Sequence, residues 1–145
     1  MTRKTLADIA EKMRDIDFTM LVTQEADGRL GGRPMSNNRE VEYQGDSYYF
    51  TTSHSRMVAD ISRNPNVGLS FQGAKHLLGK PGIDIFVQGT AQLVRDPEAF
   101  ARHWNKELDR WFEQGVNTPS LVMIKVSAQR VHYWDGSEEG EIVVG

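Results

Sequence analysis

The stretch Tyr48–Phe71, "YYFTTSHSRMVADISRNPNVGLSF", decides how this chain folds. Its first residues, "YYFTT", are aromatic or β-branched and predict a strand that ends at the hydroxyl-rich corner "TTSHS". Apolar residues recur at helical spacing in Ser55–Arg63, which predicts a short helix that stops at Asn64-Pro65. Apolar residues then alternate with polar ones in "NVGLSF", which predicts another strand. The stretch therefore predicts, in order, a strand, a corner, a helix and a strand.

The corner between that strand and that helix can serve in one of two ways. A helix start exposes unpaired backbone N–H groups and carries a positive partial charge. Ser53 or Ser55 can satisfy those groups by capping the helix, in which case nothing binds there. Alternatively, the corner can hold an anion such as a phosphate. Arg56 favours the anion, because a cation at a helix start is unfavourable unless a negative charge compensates it.

A helix and two strands are predicted on the N-terminal side of this stretch. Apolar residues recur at helical spacing in Thr5–Ile16, which predicts an amphipathic helix. The segment Phe18–Glu25 is β-rich and mostly apolar, which predicts a buried strand followed by a hairpin turn at Asp27-Gly28. Residues 33–43 predict a second strand. Since Pro34 cannot donate a hydrogen bond to a ladder, this strand is expected at a sheet edge or to be irregular there.

Strands also dominate the C-terminal side. Apolar residues alternate over Ile83–Leu93, which predicts a long strand that can bend at Gly89. After a segment predicted to be helical, "SLVMIKV" and "RVHYWD" predict the last strands. Residues 137–145 are predicted to be a loose C-terminal tail, although their "EIVV" could add a short edge strand.

The predicted elements define a fold class. Six or seven mostly consecutive strands joined by hairpins are antiparallel, and closing them into a barrel removes exposed edges. The chain is therefore predicted to be mainly β with helices (α+β), as a six- to seven-stranded antiparallel β-barrel decorated by about three helices. Its length of 145 residues suits one domain, which we assign to residues 1–136.

Composition and missing motifs exclude several classes of function. A net charge of −3 argues against a sequence-independent nucleic-acid binder. No apolar run is long enough to span a membrane, and the charged N-terminus lacks a signal peptide's apolar stretch, so a cytoplasmic location is expected. The chain has no cysteine, which excludes disulfides and thiolate chemistry. Its four histidines show no metal-ligand spacing, so no metal site is expected.

Four segments of the chain, taken in order, resemble one known family. They are "RPM" (Arg33–Met35), the stretch Tyr48–Phe71, "IFVQGTAQLVRD" and "VHYWDG". Together they resemble the flavin-binding split-barrel superfamily, whose best-known member is pyridoxamine phosphate oxidase, and more closely its short general stress protein branch. The resemblance extends from about Leu6 to Gly136. It implies a split barrel and a homodimer that binds flavin mononucleotide (FMN) at two equivalent sites in the subunit interface.

The same resemblance implies which residues bind the flavin. The "RPM" strand would run beside the isoalloxazine ring, and the first corner hydroxyls would lie near the ring and the ribityl chain. Ser55 and Arg56 would hold the phosphate, and Trp134 would contact the flavin. The implied cofactor-binding residues are Arg33, Pro34, Met35, Thr51, Thr52, Ser53, Ser55, Arg56 and Trp134.

Two departures from the family pattern bear on function. Met57 stands where the family often has a lysine that binds the phosphate, which implies weaker phosphate binding and leaves FAD as an alternative to FMN. The segment "SEEGEIVVG" replaces an arginine- and histidine-bearing segment that grips the substrate in the oxidase. Pyridoxamine phosphate oxidation is therefore not expected.

Three functions remain open after the resemblance is taken into account. The first is a flavin-dependent oxidoreductase of unknown substrate, for which no catalytic side chain is identified. The second is a non-catalytic flavin-binding stress protein that stores or senses the cofactor. The third is a deazaflavin-dependent reductase, which the acidic chain fits less well.

The remaining aromatic residues to be interpreted are two tryptophans outside the corner and the histidines. Trp104 and Trp111 fall on one face of the helix predicted from Asp96 to Gly115. A position in the core or in the dimer interface is favoured for both, and flavin contact is the alternative. Among the histidines, His54 lies inside the corner and is the best candidate to touch a ligand.

Overall fold

The structure is a computed structural model that describes residues 3–37, 43–74, 78–79 and 81–145. Over these ranges the chain forms three α-helices, two short 3-10 helices and seven strands. The elements are α1 (Leu6–Met13), β1 (Phe18–Gln24), β2 (Leu30–Ser36), β3 (Asp46–Thr52), α2 (Arg56–Arg63), β4 (Asn66–Gln72), β5 (Asp84–Val94), α3 (Pro97–His103), β6 (Leu121–Asp135) and β7 (Glu138–Val143). The 3-10 helices are Lys106–Arg110 and Gly115–Asn117. Within the described ranges, none of the helices is long and apolar enough to cross a membrane.

All seven strands belong to one antiparallel sheet. Its order is β2-β1-β4-β5-β6-β3, and β7 pairs with β6 beside this path. The predicted class, an antiparallel α+β barrel with about three helices, is confirmed. β2 lies at one end of the path, as expected from Pro34. The sheet path therefore begins at β2, which carries Arg33, and ends at β3, which leads into the predicted corner.

Several predicted boundaries shift. α1 ends at Met13 rather than Ile16, and it begins after Thr5, whose hydroxyl accepts a hydrogen bond from the backbone N–H of Asp8 at 3.2 Å. β2 ends at Ser36, and the rest of the predicted second strand, residues 38–42, lies outside the described residues.

β6 is one continuous strand where the sequence predicts two. β5 pairs with it from Asp84↔Trp134 to Val94↔Met123, and this long partner keeps the intervening residues extended. The register between β5 and β6 shifts at Gln88/Gly89, where the sequence predicts a bend. A Cβ at Gly89 would collide with the backbone carbonyl of Ser127, so only glycine fits this bulge without a backbone shift.

The segment predicted to be a loose tail contains a strand. The first half of β6 pairs with β3, and its second half pairs with β7 in the register Arg130↔Val143 to Asp135↔Glu138. A tight turn at Gly136, whose φ of 63° favours glycine, joins the two strands. The expectation of a loose tail is therefore wrong and the edge-strand alternative is correct, because β6 extends beyond the end of β3 and offers an edge to pair with.

The helix predicted from Asp96 to Gly115 is correct only in its first part. The Asp96 side chain caps it, and Pro97 stands in its first turn, as predicted. The α-helix ends at His103, because Trp104 adopts an extended conformation with ψ of 140°. The indole of Trp104 packs edge-on against Phe50 with ring centroids 4.9 Å apart. This packing against β3 overrides the helical periodicity of the segment, which continues as 3-10 turns.

The main core fills the interior of the barrel. Its fully buried members include Ile9, Leu21, Leu69, Phe71, Ile85, Ile124 and Val131. β1 contributes only alternate residues to this core: Leu21 is buried, whereas Phe18 and Met20 are exposed. The prediction of a buried β1 is therefore wrong for its outward-facing residues, which lie on the outer surface of the sheet.

α2 is attached to the barrel by a buried acid as well as by its apolar face. Met57, Val58 and Ile61 are buried, as predicted. Asp60 is also buried, with 3% of the residue exposed. Its carboxylate accepts a hydrogen bond of 2.8 Å from the Thr23 hydroxyl on β1 and forms an ion pair of 2.7 Å with Arg63. These contacts fix the helix, and with it the corner at its N-terminus, against β1.

Candidate functional site

A cavity of about 580 Å³ opens beside β2, the end of β3 and the segment that follows α3. Six of the nine residues expected at a cofactor site line it: Arg33, Pro34, Met35, Thr51, Thr52 and Ser55. His54 lines it as well. Its volume lies in the range of small-molecule and cofactor sites, about 300–1,000 Å³. The structure thus brings two separate segments of the sequence, the "RPM" strand and the hydroxyl corner, to one cavity.

The other three expected residues, Ser53, Arg56 and Trp134, do not line this cavity. Ser53 is half-buried, and its N–H donates to the carbonyl of Ser120 at 2.8 Å. Trp134 lies at the opposite end of β6 from the residues that pair with β3, and its ring stacks on His132 with centroids 4.2 Å apart. Within one chain, Trp134 is therefore separated from the cavity.

The corner caps its own helix. Ser55 is the N-cap of α2, and its hydroxyl accepts a hydrogen bond from the N–H of Val58 at 3.4 Å. The self-capping interpretation is therefore correct for Ser55. Capping by one side chain still leaves first-turn N–H groups without an acceptor inside the helix. Self-capping and anion binding can consequently coexist at this corner.

Arg56 already has a negative partner in its own chain. Its Nη1 lies 3.3 Å from Oε2 of Glu25, at the end of β1. The Arg56 side chain is 78% exposed and that of Glu25 is 24% exposed. The position of the Glu25 carboxylate depends on Gly31, where a Cβ would collide with it. The compensating anion that a cation at a helix start requires is thus supplied by Glu25, so Arg56 alone does not demand an external ligand.

Arg33 is the cation that faces the cavity. It stands opposite Leu21 in the β1–β2 register, so its side chain starts from the barrel's inner face at the open edge of the sheet. Arg33 is exposed, and across the described ranges it forms no ion pair. An anionic group that enters the cavity therefore meets Arg33 without displacing an ion-pair partner from the described part of the chain.

Met57, which stands where the family often has a phosphate-binding lysine, faces the barrel core and not the corner. Met57 is 4% exposed and belongs to the barrel core together with Tyr49 and Ile61. A lysine here would start from a buried position, so the expectation that it would reach a bound phosphate is not supported by the packing. Met57 is explained by the core that it fills, and not by a weakened anion site.

Met57→Lys is expected to lower the free energy of unfolding by about 2 kcal/mol. Burial of an unpaired ammonium group is costly, and the lysine side chain must distort the core packing to bring that group to water. Chemical denaturation followed by circular dichroism measures this loss. Met57→Leu keeps the apolar volume and serves as the control, with a loss below about 1.5 kcal/mol. Wild-type stability of the lysine variant would show that the side chain escapes to the surface.

A second group of residues gives the cavity an aromatic lining, for which sequence reasoning offered only Trp111, as the less favoured alternative to a core or interface position. Leu108, Trp111 and Phe112, from the segment after α3, line it together with Phe18 of β1. Of the two tryptophans predicted on one helix face, Trp104 packs in the cluster around Phe50, and Trp111 reaches the cavity. The break in the helix after His103 produces this separation. No local pattern in the sequence signals that break.

Two of the remaining histidines, His103 and His132, have protein partners. The His103 ring stacks on Tyr48 with centroids 3.6 Å apart, and burial, followed by the charges of Arg102 and Lys125, lowers the pKa of His103. His132 lies 2.8 Å from Glu139. His76 lies outside the described residues. In the part of the chain that the structure describes, no three histidine or acidic side chains group together as metal ligands would.

Solved structures share this fold. A Clostridium acetobutylicum protein related to general stress protein 26 of B. subtilis has a TM-score of 0.81 and 15% identity, with 99% of this chain and 97% of that chain covered. The general stress FMN/FAD binding protein from the phytopathogen Xanthomonas citri has a TM-score of 0.75 and 20% identity, with 99% and 96% covered. At these identities the similarity establishes the split-barrel fold alone.

The sequence comparisons give the family. Protein bli-3 of Neurospora crassa is 25% identical over 135 residues, which cover 87% of this chain. The match spans 62% of the length of that curated relative. Residues 4–145 match the family model described as "Pyridoxamine 5'-phosphate oxidase like". The chain therefore belongs to the pyridoxamine 5'-phosphate oxidase-like family.

Proposed function

We propose that this protein binds a flavin nucleotide, FMN with FAD as the alternative, in the cavity between β2 and the β3–α2 corner. The observation that carries the proposal is the convergence of six residues, chosen from the sequence for flavin contact, on one cavity of about 580 Å³. Membership of the pyridoxamine 5'-phosphate oxidase-like family supports it. So does the fold shared with a general stress FMN/FAD binding protein.

The lining residues suit the parts of a flavin nucleotide. Pro34 and Met35 offer apolar surface to the ring, and the hydroxyls of Thr51 and Thr52 offer hydrogen bonds to the ribityl chain. Arg33 and the N-terminus of α2 offer positive charge to the phosphate. The functional roles assigned from the resemblance are retained here as proposals, except that Arg33 is moved from the ring to the phosphate contacts.

The proposal includes a homodimer with the cofactor at the subunit interface. Large apolar residues are exposed on the outer face of the β1-β4-β5-β6 part of the sheet: Met20 of β1, Phe86 of β5 and Trp134 of β6. Met20 and Phe86 stand in one cross-strand row through Ser70. An exposed apolar patch of this kind marks an interaction surface. Because Trp134 is separated from its own chain's cavity, it would contact a flavin only across the interface.

A bound flavin would supply hydride or electron transfer, so the protein's part is to bind it, orient it and control access. A flavin-dependent oxidoreductase of unknown substrate is therefore one function that the site supports. No carboxylate is found among the described residues that line the cavity, and His54 is the one histidine there. The second candidate is a non-catalytic protein that stores or senses the flavin.

Calorimetric titration of the purified protein with FMN, FAD and riboflavin tests the proposal. We expect saturable binding with one flavin per subunit and tighter binding of FMN than of riboflavin. Absence of heat with all three flavins would refute the proposal, and heat with a deazaflavin alone would favour the deazaflavin reading. Turnover separates the two remaining functions: oxidation of NADH or NADPH no faster than with free flavin would exclude an oxidoreductase acting on those donors.

Glu25→Gln is expected to tighten FMN binding about threefold. Glu25 competes with the phosphate for Arg56, and exposed ion pairs of this kind are worth up to about 1 kcal/mol. Riboflavin, which lacks the phosphate, should bind as before. The gain should shrink at high salt, because screening weakens interactions between exposed charges.

Glu113→Gln is the matched control for this prediction, since Glu113 is exposed and does not line the cavity. Calorimetry at low and high salt compares the two variants. An equal change in the affinities for FMN and riboflavin would show that Glu25 acts on the cavity as a whole and not on the phosphate.

A further inference from the structure

The aromatic lining of the cavity contains one residue with a largely unused surface. Trp111 lines the cavity, yet 58% of the residue is exposed. Its ring contacts the Arg110 guanidinium, whose carbon lies 5.6 Å from the ring centroid. Large aromatic residues contribute most when they are covered, and tryptophan is enriched where a ring meets a partner. An indole at the mouth of a cavity therefore has room for a ligand against it.

The segment that carries Trp111 is held in place by its neighbours. Trp104 donates a hydrogen bond from Nε1 to Oδ1 of Asp109 at 2.9 Å. Its ring packs edge-on against Phe112, with centroids 5.6 Å apart, and against Phe50 at 4.9 Å. Phe50 belongs to β3 and directly precedes Thr51. The strand that carries the corner hydroxyls therefore also anchors, through Trp104, the segment in which Trp111 lies.

Trp111 itself is fixed at the backbone. Its N–H donates to the carbonyl of Leu108 at 2.9 Å, and Leu108 is itself buried and lines the cavity. A residue with a fixed backbone and an exposed ring can bind a flat molecule with a small loss of conformational freedom, because only its side-chain torsions must be ordered.

We propose that Trp111 stacks on the planar conjugated ring of the ligand bound in this cavity. The inference rests on the proposed function, under which that ring is the isoalloxazine of the flavin. It goes beyond the family resemblance, which assigns ring contacts to the "RPM" strand, the corner and Trp134. Trp111 is then a ring-binding residue and acts independently of the phosphate contacts at Arg33 and Arg56.

Two substitutions separate aromatic stacking from simple apolar coverage. Trp111→Phe keeps a ring, and Trp111→Leu keeps apolar bulk without one. Titration of the full-length protein with riboflavin and with FMN should show dissociation constants that rise about tenfold in Trp111→Leu, by the same factor for both ligands, and only about twofold in Trp111→Phe. Val116→Ala, an exposed apolar residue farther along this segment that does not line the cavity, should bind both like the unaltered protein.

Each outcome decides for or against the inference. Unchanged affinities in Trp111→Leu would overturn it while leaving the proposed function intact. A weakening confined to FMN, or equal weakening in the phenylalanine and leucine variants, would also overturn it. So would a loss of affinity that disappears at high protein concentration, since this would assign Trp111 to subunit packing, which light scattering measures directly. No flavin binding by the unaltered protein would refute the proposed function, and the inference with it.

Discussion

Asp60→Ala is expected to lower the free energy of unfolding by about 3 kcal/mol. Asp60 is almost fully buried and accepts from Thr23 at 2.8 Å and from Arg63 at 2.7 Å. Alanine leaves the buried Thr23 hydroxyl without its acceptor, and an unsatisfied buried polar group costs about 1–3 kcal/mol. It also removes the partner of Arg63. Since Arg63 is half exposed, it can turn to water, which limits its share of the loss.

Urea denaturation followed by circular dichroism measures this effect. Asp84→Ala is the matched control, because Asp84 is exposed on β5, and we expect it to change stability by less than about 0.5 kcal/mol. A double-mutant cycle with Thr23→Val isolates the hydrogen bond between helix and strand. A loss no larger than that of the Asp84→Ala control would show that the buried acid contributes nothing net and that the apolar face of α2 holds the helix alone.

The features that the sequence predicts well are those that one residue, or two adjacent residues, determine locally. Pro34 placed its strand at a sheet edge, Gly89 marked the bulge of β5, and Asn64-Pro65 ended α2. In each case the backbone chemistry of one residue limits what the chain can do, whatever the rest of the fold is. Such limits are local, and they can be read without a structure.

The features that the sequence does not predict depend on residues far apart in the chain. The helix after Asp96 ends early because Trp104 packs on Phe50, and the tail becomes β7 because β6 offers it an edge. The apolar and hydroxyl residues of the cavity were partly foreseen, whereas a position of Trp111 at the cavity was only the less favoured alternative. Tertiary packing overrides local periodicity at these points.

The charges at the corner show the same division. Sequence reasoning finds Arg56 and asks which anion compensates it, and the structure supplies Glu25 from the end of β1. Thirty-one positions separate the two residues, so no helical or strand spacing connects them. Under the proposed function, this ion pair leaves Arg56 less available to the phosphate. Arg33, whose side chain forms no ion pair in the described ranges, is then expected to contribute most of the phosphate-binding free energy.

Arg33→Ala is therefore expected to raise the dissociation constant for FMN about thirtyfold while changing that for riboflavin less than twofold. Hydrogen bonds to charged groups contribute about 1.5–3 kcal/mol, and thirtyfold corresponds to about 2 kcal/mol. Arg33→Lys should recover part of the loss, since lysine keeps the charge but not the bidentate geometry. Calorimetric titration with both flavins measures the difference.

Arg29→Ala is the matched control for Arg33→Ala. Arg29 precedes β2, its guanidinium pairs with Asp27, and it does not line the cavity, so its removal should leave both affinities unchanged. Because the contact is ionic and the residue is exposed, the preference of the unaltered protein for FMN over riboflavin should also fall as salt rises. Equal losses for FMN and riboflavin in Arg33→Ala would move Arg33 from the phosphate to the ring. A full loss in Arg56→Ala with none in Arg33→Ala would return the phosphate to the helix start, and Glu25 would then have to release Arg56 whenever the nucleotide binds.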